Sequence, residues 1–228
     1  MHRHFILSFT FSLVCGLSSA QAPAGTTPLS TGPGSQTEAA NAALDKAEGN
    51  SNNMPDGIFK EAVKAAIANI RKMLAAGRVL NDNGATGRRG TSAGTTQEAI
   101  ENGQAIHTSS VGVGTEYVTL GDKVLTQSAD HAGGTLVHEG VRCKQEGKDT
   151  IPPPAGGGGG GGGGQPPLWE RRAEWLRDWD VYTTDAYYWD GVAAGYAGQP
   201  ARVEWAQKFA ELRRETANDR ARRYNRSF

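Results

Sequence analysis

The chain has 228 residues, with 24 lysines and arginines against 24 acidic residues and 37% hydrophobic residues. A formal net charge of zero leaves no global field to draw the whole protein to nucleic acid or to an anionic membrane. Cys15 and Cys143 are the only cysteines, which excludes a disulfide framework and leaves packing or a metal to stabilise the fold.

Arg3 precedes a short apolar run, Phe5 to Leu17, closed by the small residues Ser18, Ser19 and Ala20. This is the pattern of a secretory signal peptide over 1–20, too short to span a bilayer, and it predicts export to the periplasm or the exterior. About 208 residues follow, enough for one domain. Residues 21–54 are rich in Ala, Gly, Ser, Thr, Pro and Asn, and almost devoid of large apolar side chains. Such a segment buries too little surface to offset its ordering entropy, so a disordered leader is expected.

A single domain is expected over 55–217, opening at Pro55-Asp56-Gly57. Ile58, Val63, Ile67, Ile70, Met73 and Leu74 recur at helical spacing and predict a helix ending near Gly77. A polar loop over 81–97 follows. Ala105 to Thr108 reads as a short strand that carries His107. Glu116–Leu120 and Lys123–Thr126, joined by Gly121-Asp122, read as a tight hairpin. Ser128 is a candidate N-cap for a helix from Ala129 to about Gln145, with Gly133-Gly134 weakening its first turns. Residues 151–167 hold three prolines, nine consecutive glycines and two more prolines. With nothing to pack and maximal backbone freedom, they are expected to form a tether interrupting the domain. Leu168 to Tyr196 is a long helical stretch crowded with Trp and Tyr, broken at Gly198-Gln199-Pro200. A last helix is expected from Ala201 to about Arg214, its apolar side formed by Ala201, Trp205, Phe209 and Leu212. A basic, frayed tail is expected over 218–228. No internal repeat and no second membrane-length apolar run is visible.

The helix after Ser128 contains His138-Glu139-Gly140-Val141-Arg142. In the His-Glu-x-x-His motif two histidines one turn apart bind zinc (Zn), and the glutamate polarises the attacking water. Here the first histidine and the glutamate are present, and Arg142 stands in the second ligand's place. From Ile106 to Gly191 the order of hairpin, His-Glu helix and later acidic helix resembles a zincin-like metallopeptidase of the gluzincin type. The resemblance implies a mainly helical α+β domain with a small hairpin or sheet before the His-Glu helix. It also implies a zinc metallopeptidase acting on a peptide or protein substrate, with His138 as metal ligand and Glu139 as general base. The third ligand would be an acid on the later helix. Glu170, Glu174 and Asp178 are the candidates, spaced by four and therefore on one helical face.

Arg142 divides the readings. A guanidinium has no lone pair for zinc and keeps its proton in proteins. Cys143 is rotated about 140° away from His138, and His131 lies about 10 Å back along the axis. His107 would have to approach from its strand. A metal-free alternative places Arg142 in the cation's position, paired with Glu139 and with Asp178 or Glu174. The chain would then be a non-catalytic binding or structural protein of the envelope that keeps the zincin fold. A third reading takes the His-Glu pair as chance in an unrelated helical protein. In every reading no nucleic-acid partner is expected.

Overall fold

The computed structural model describes residues 26–82, 105–109, 116–121, 124–146 and 167–228. The signal segment, the polar loop from 83 onward, the Asp122-Lys123 step and the tether at 151–166 lie outside the described residues. In chain order the described elements are β1 (Thr26–Pro28), α1 (Gln36–Asn52), α2 (Ile58–Ala75), β2 (Val79–Asp82), β3 (Ala105–Ser109), β4 (Glu116–Gly121), α3 (Ala129–Glu146), α4 (Leu168–Gly195) and α5 (Pro200–Asn225). The protein is α+β and mainly helical, with a small sheet ahead of the helix that carries His138 and Glu139.

The first correction concerns the leader expected over 21–54. Residues 36–52 form helix α1, and Ala40, Ala43, Leu44 and Ala47 on one face are at most 1% exposed. Ser35 caps the helix, its side chain accepting from the Glu38 N–H at 3.2 Å. Ser30 and Gln36 exchange two further hydrogen bonds across the entry. The composition misled because the apolar face is built from alanine. Alanine has the best helix propensity, loses no side-chain entropy, and buries little area per residue but allows close approach.

Helix α2 follows the expected periodicity, with Val63, Ala66, Ile67, Ile70 and Met73 buried. It ends where the sequence indicated. Gly77 takes φ +65°, and the Arg78 N–H closes back onto the Met73 carbonyl at 2.8 Å. That is a Schellman stop, which needs a residue tolerant of left-handed backbone. It feeds directly into β2, a strand not anticipated from the sequence.

The sheet order is β1-β2-β4-β3, with β2 parallel to β4 and the other pairs antiparallel. The expected hairpin is therefore corrected. β4 pairs with β3 and β2, and Val124–Thr126 is a single 3₁₀ turn that leads into α3. Tyr117, Val118, Thr119 and Leu120 are all buried, as befits a strand with neighbours on both edges and cover on both faces.

Helix α3 is central, packing against α1, α2 and α4. Ser128 caps it as expected, its Oγ accepting from the His131 N–H at 3.3 Å. Gly133 and Gly140 are contact points. A Cβ at Gly133 would lie 2.7 Å from the Ala43 carbonyl oxygen, and one at Gly140 would lie 2.8 Å from that of Ala66. The helix accepts the lower propensity of glycine because only a bare backbone can come this close to α1 and α2.

Helices α4 and α5 form a hairpin turned at Gly198 (φ +89°), with Pro200 opening α5. Trp189 anchors it in the core, stacked on Phe209 at 4.6 Å and edge-on to Trp205 at 5.2 Å. Two expectations about α5 are corrected. The helix runs to Asn225 instead of stopping near Arg214, so most of the expected tail is helical. Its buried positions are Ala206, Ala210 and Ala217, while Leu212 is exposed. Trp205 and Phe209 pack against the core as expected, and the alanines beside them complete the packing face.

Candidate functional site

The site forms where the second half of α3 meets α4 and α5. His138, Glu139 and Arg142 come from α3, Asp178 and Asp185 from α4, and Arg213 and Arg220 from α5. Asp178 and Asp185 are seven apart, two helical turns, and therefore share a face. Arg213 and Arg220 are also seven apart. Because the hairpin is antiparallel, the two spacings match in reverse order. Arg213 Nε lies 3.5 Å from Asp185 Oδ2, and Arg220 Nε lies 3.0 Å from Asp178 Oδ2.

Helix α3 adds to both rungs. Arg142 Nη2 donates to Asp178 Oδ1 at 2.9 Å. Burial pulls the Arg142 guanidinium down, but Glu139 and Asp178 outweigh it and hold it above its ordinary value. The His138 Nδ1 position lies 2.6 Å from Asp185 Oδ2, and its Nε2 is 4.0 Å from Glu139 Oε1. Tyr182, one turn from both aspartates, packs its ring 5.3 Å from the His138 ring and beneath the Arg213 guanidinium. Burial raises the Tyr182 hydroxyl above its usual range, and Asp178 adds to this.

Glu139, Asp178 and Asp185 are each 5% exposed or less. Three buried carboxylates thus meet three guanidiniums, a neutral set before His138 is counted. Ions taken out of water persist when paired and hydrogen-bonded in this way. Glu139 Oε2 and Asp185 Oδ1 are buried without a hydrogen-bond partner, and so are Arg213 Nε and Arg220 Nε, which meet their aspartates as ion pairs only.

Of the three acids proposed as third ligand, Asp178 alone is joined to the His-Glu helix. Glu170 is exposed and Glu174 only half-buried, and neither makes a hydrogen bond or ion pair there. Of the possible substitutes for the second ligand, His131 packs edge-on against Trp189 and Phe209. Cys143 is buried. The His107 side chain lies outside the described residues.

This arrangement does not fit a zinc ion. The position one turn beyond His138 presents a permanent cation, and the nearest acid, Asp178, is held by two guanidiniums. Among the described residues no three His, Cys, Asp or Glu side chains gather in metal-binding geometry. His138 is held with one ring nitrogen on the Asp185 carboxylate and the other toward Glu139.

Asp185, Tyr182, Arg213 and Arg220 were not singled out from the sequence. The signal was present in two matched seven-residue spacings on consecutive helices, acidic on one and basic on the next. It becomes informative only once both helices are known to pair.

No family model, no curated protein and no solved structure matches this chain.

Proposed function

We propose that this chain is an exported, non-catalytic relative of the zincin-like metallopeptidases, in which an arginine–carboxylate cluster stands where zinc would be held. The observation that carries the reading is Arg142 Nη2 at 2.9 Å from Asp178 Oδ1, with Arg220 on the other carboxylate oxygen. A guanidinium between Glu139 and Asp178 supplies the positive charge that a metal would otherwise supply to the same two acids. Export rests on the signal pattern over 1–20. A role in binding or structure at the envelope is the reading that a charge-neutralised site with Arg142 in the second ligand's place supports.

The test is metal content after zinc loading and desalting, for the native protein beside Arg142→His. The expected result is no retained zinc in the native protein and near-stoichiometric zinc in the variant, where a second imidazole faces His138. Stoichiometric zinc in the native protein would overturn the non-catalytic reading and restore the peptidase. Zinc in neither would break the link to zincins and leave His138-Glu139 a chance pair.

A further inference from the structure

The first half of α4 has its polarity reversed. Of residues 168–179 only Ala173 and Asp178 are buried, and Asp178 points inward onto two arginines. The outward face carries Leu168, Trp175, Leu176 and Trp179, within about 100° of one another around the helix. Leu168 is 41% exposed, Leu176 44% and Trp179 39%. Arg172 shares this face and reaches back to the end of α5. Its Nε donates to Ser227 Oγ at 2.7 Å, and its guanidinium covers the Phe228 ring at 4.1 Å. That fixes Phe228, 82% exposed, beside the same stripe. Four of the seven large exposed hydrophobic residues among the described residues therefore lie at one end of the hairpin.

The charge at this end is one-sided. Residues 168–179 and 219–228 hold seven arginines and four acids, an excess of three, although the whole chain is neutral. Arg220 and Asp178 cancel internally. Arg222 and Arg223, both largely exposed, share the single acid Asp219, which also lies 3.7 Å from Arg220. Arg226 is exposed and has no acidic partner among the described residues.

We propose that this end of the α4–α5 hairpin docks on an anionic phospholipid surface. Tryptophan and leucine would enter the headgroup boundary, with the arginines against lipid phosphates. Trp is suited to such a boundary because its large apolar body carries a polar N–H. Basic residues beside an apolar helical face are the physical signature of binding in the membrane plane without spanning it. No helix among the described residues is long and apolar enough to cross a membrane. A second copy of the chain fits the surface less well. Two such ends would bring like charges together. The proposal is independent of the zincin reading, because it uses none of the α3 residues.

The test is co-sedimentation of the purified protein with vesicles of phosphatidylcholine containing about 30% phosphatidylglycerol, beside vesicles of phosphatidylcholine alone. Binding is expected to the first and at least about tenfold less to the second, and to weaken with salt. Leu176→Ser/Trp179→Ser should lower partitioning about tenfold or more. Arg222→Gln/Arg226→Gln should lower it by about thirtyfold. All four side chains are exposed, so an unchanged thermal midpoint is expected and keeps loss of binding separate from loss of fold. A residual contribution from residues 1–20 is common to all variants and cancels. Absence of binding to the anionic vesicles overturns the proposal, as does equal binding to both vesicle types. A dimer in solution that Leu176→Ser/Trp179→Ser dissociates would also overturn it and assign the face to a second copy. So would preferential capture of single-stranded nucleic acid over vesicles.

Discussion

The two ends of α3 each bury an aspartate, and they satisfy it differently. At the start, Asp130 accepts from Asn50 Nδ2 at 2.8 Å and from the Tyr196 hydroxyl, with Lys46 at 3.6 Å on the solvent side. Tyr188 donates to the Asp130 carbonyl. At the other end, Asp178 faces α3 and is held by the guanidiniums of Arg142 and Arg220. Both carboxylates are 5% exposed. Neutral donors hold the first, with one half-exposed lysine at its rim, and two guanidiniums hold the second. The first arrangement joins α1, α3 and α4 whatever the protein does. The second joins α3, α4 and α5 at the place where the resemblance would put a metal.

The comparison is most sharply tested by Asp178→Asn. It would leave Arg142 and Arg220 facing each other in a mostly buried site and should cost about 3 kcal/mol of stability, read by urea unfolding. Asp130→Asn should cost about 1 kcal/mol, because its neutral donors can rebond to an amide and Lys46 is free to turn to water. Equal losses at the two sites would show that the kind of partner, ionic or neutral, does not matter here.

Gly140→Ala comes next in size. Its new methyl would press on the Ala66 backbone from the helix that carries the site, at a cost of about 2 kcal/mol. If α3 shifts to relieve it, the Arg142–Asp178 contact should loosen while the Asp130 network stays intact. Amide hydrogen exchange along α3 would separate the two ends.

A smaller effect is expected from Tyr196→Phe, about 1 kcal/mol near neutral pH. Its hydrogen bond to Asp130 raises the Tyr196 hydroxyl above its ordinary value of 10.0. The folded state therefore holds this proton more tightly than the unfolded chain. Its contribution is complete below pH 10 and is lost as pH rises through the folded value. Unfolding midpoints measured upward from pH 9 should fall less steeply in Tyr196→Phe than in the native protein.

The smallest effect concerns His131, next to Asp130 in the first turn of α3. Burial, then the charge of Arg213, lowers it from its ordinary 6.5. It is neutral in the fold, and the unfolded chain takes up the proton first. Its contribution is present above pH 6.5 and is lost as pH falls toward the folded value. His131→Phe should flatten the stability profile in that window, checked by thermal midpoints at stepped pH.

Much of the order was legible from sequence. The α2 periodicity with its Gly77 stop, the Ser128 cap and the span of α4 all follow from side-chain spacing and local backbone chemistry. What escaped was whatever depended on small residues. The alanine faces of α1 and α5 carry almost no hydrophobic signal. Gly133 and Gly140 read as helix weaknesses until the backbones they admit are in view. The strand β2 was hidden because its partner, β4, lies far along the chain.

The sequence by itself determined the kinds of chemical group available. It placed His138, Glu139 and Arg142 on one helix, with a guanidinium one turn beyond the imidazole, since helical periodicity and side-chain chemistry are local properties. Which acid meets Arg142 was decided by tertiary structure. Glu170, Glu174 and Asp178 are equivalent on a helical wheel, and the docking of α4 on α3 selects Asp178. Asp185 and Arg213 entered the site only because α5 runs antiparallel to α4, and Arg220 only because α5 also continues past its expected end. A buried charge is stable only beside its partner, and partners from three helices are brought together by packing alone.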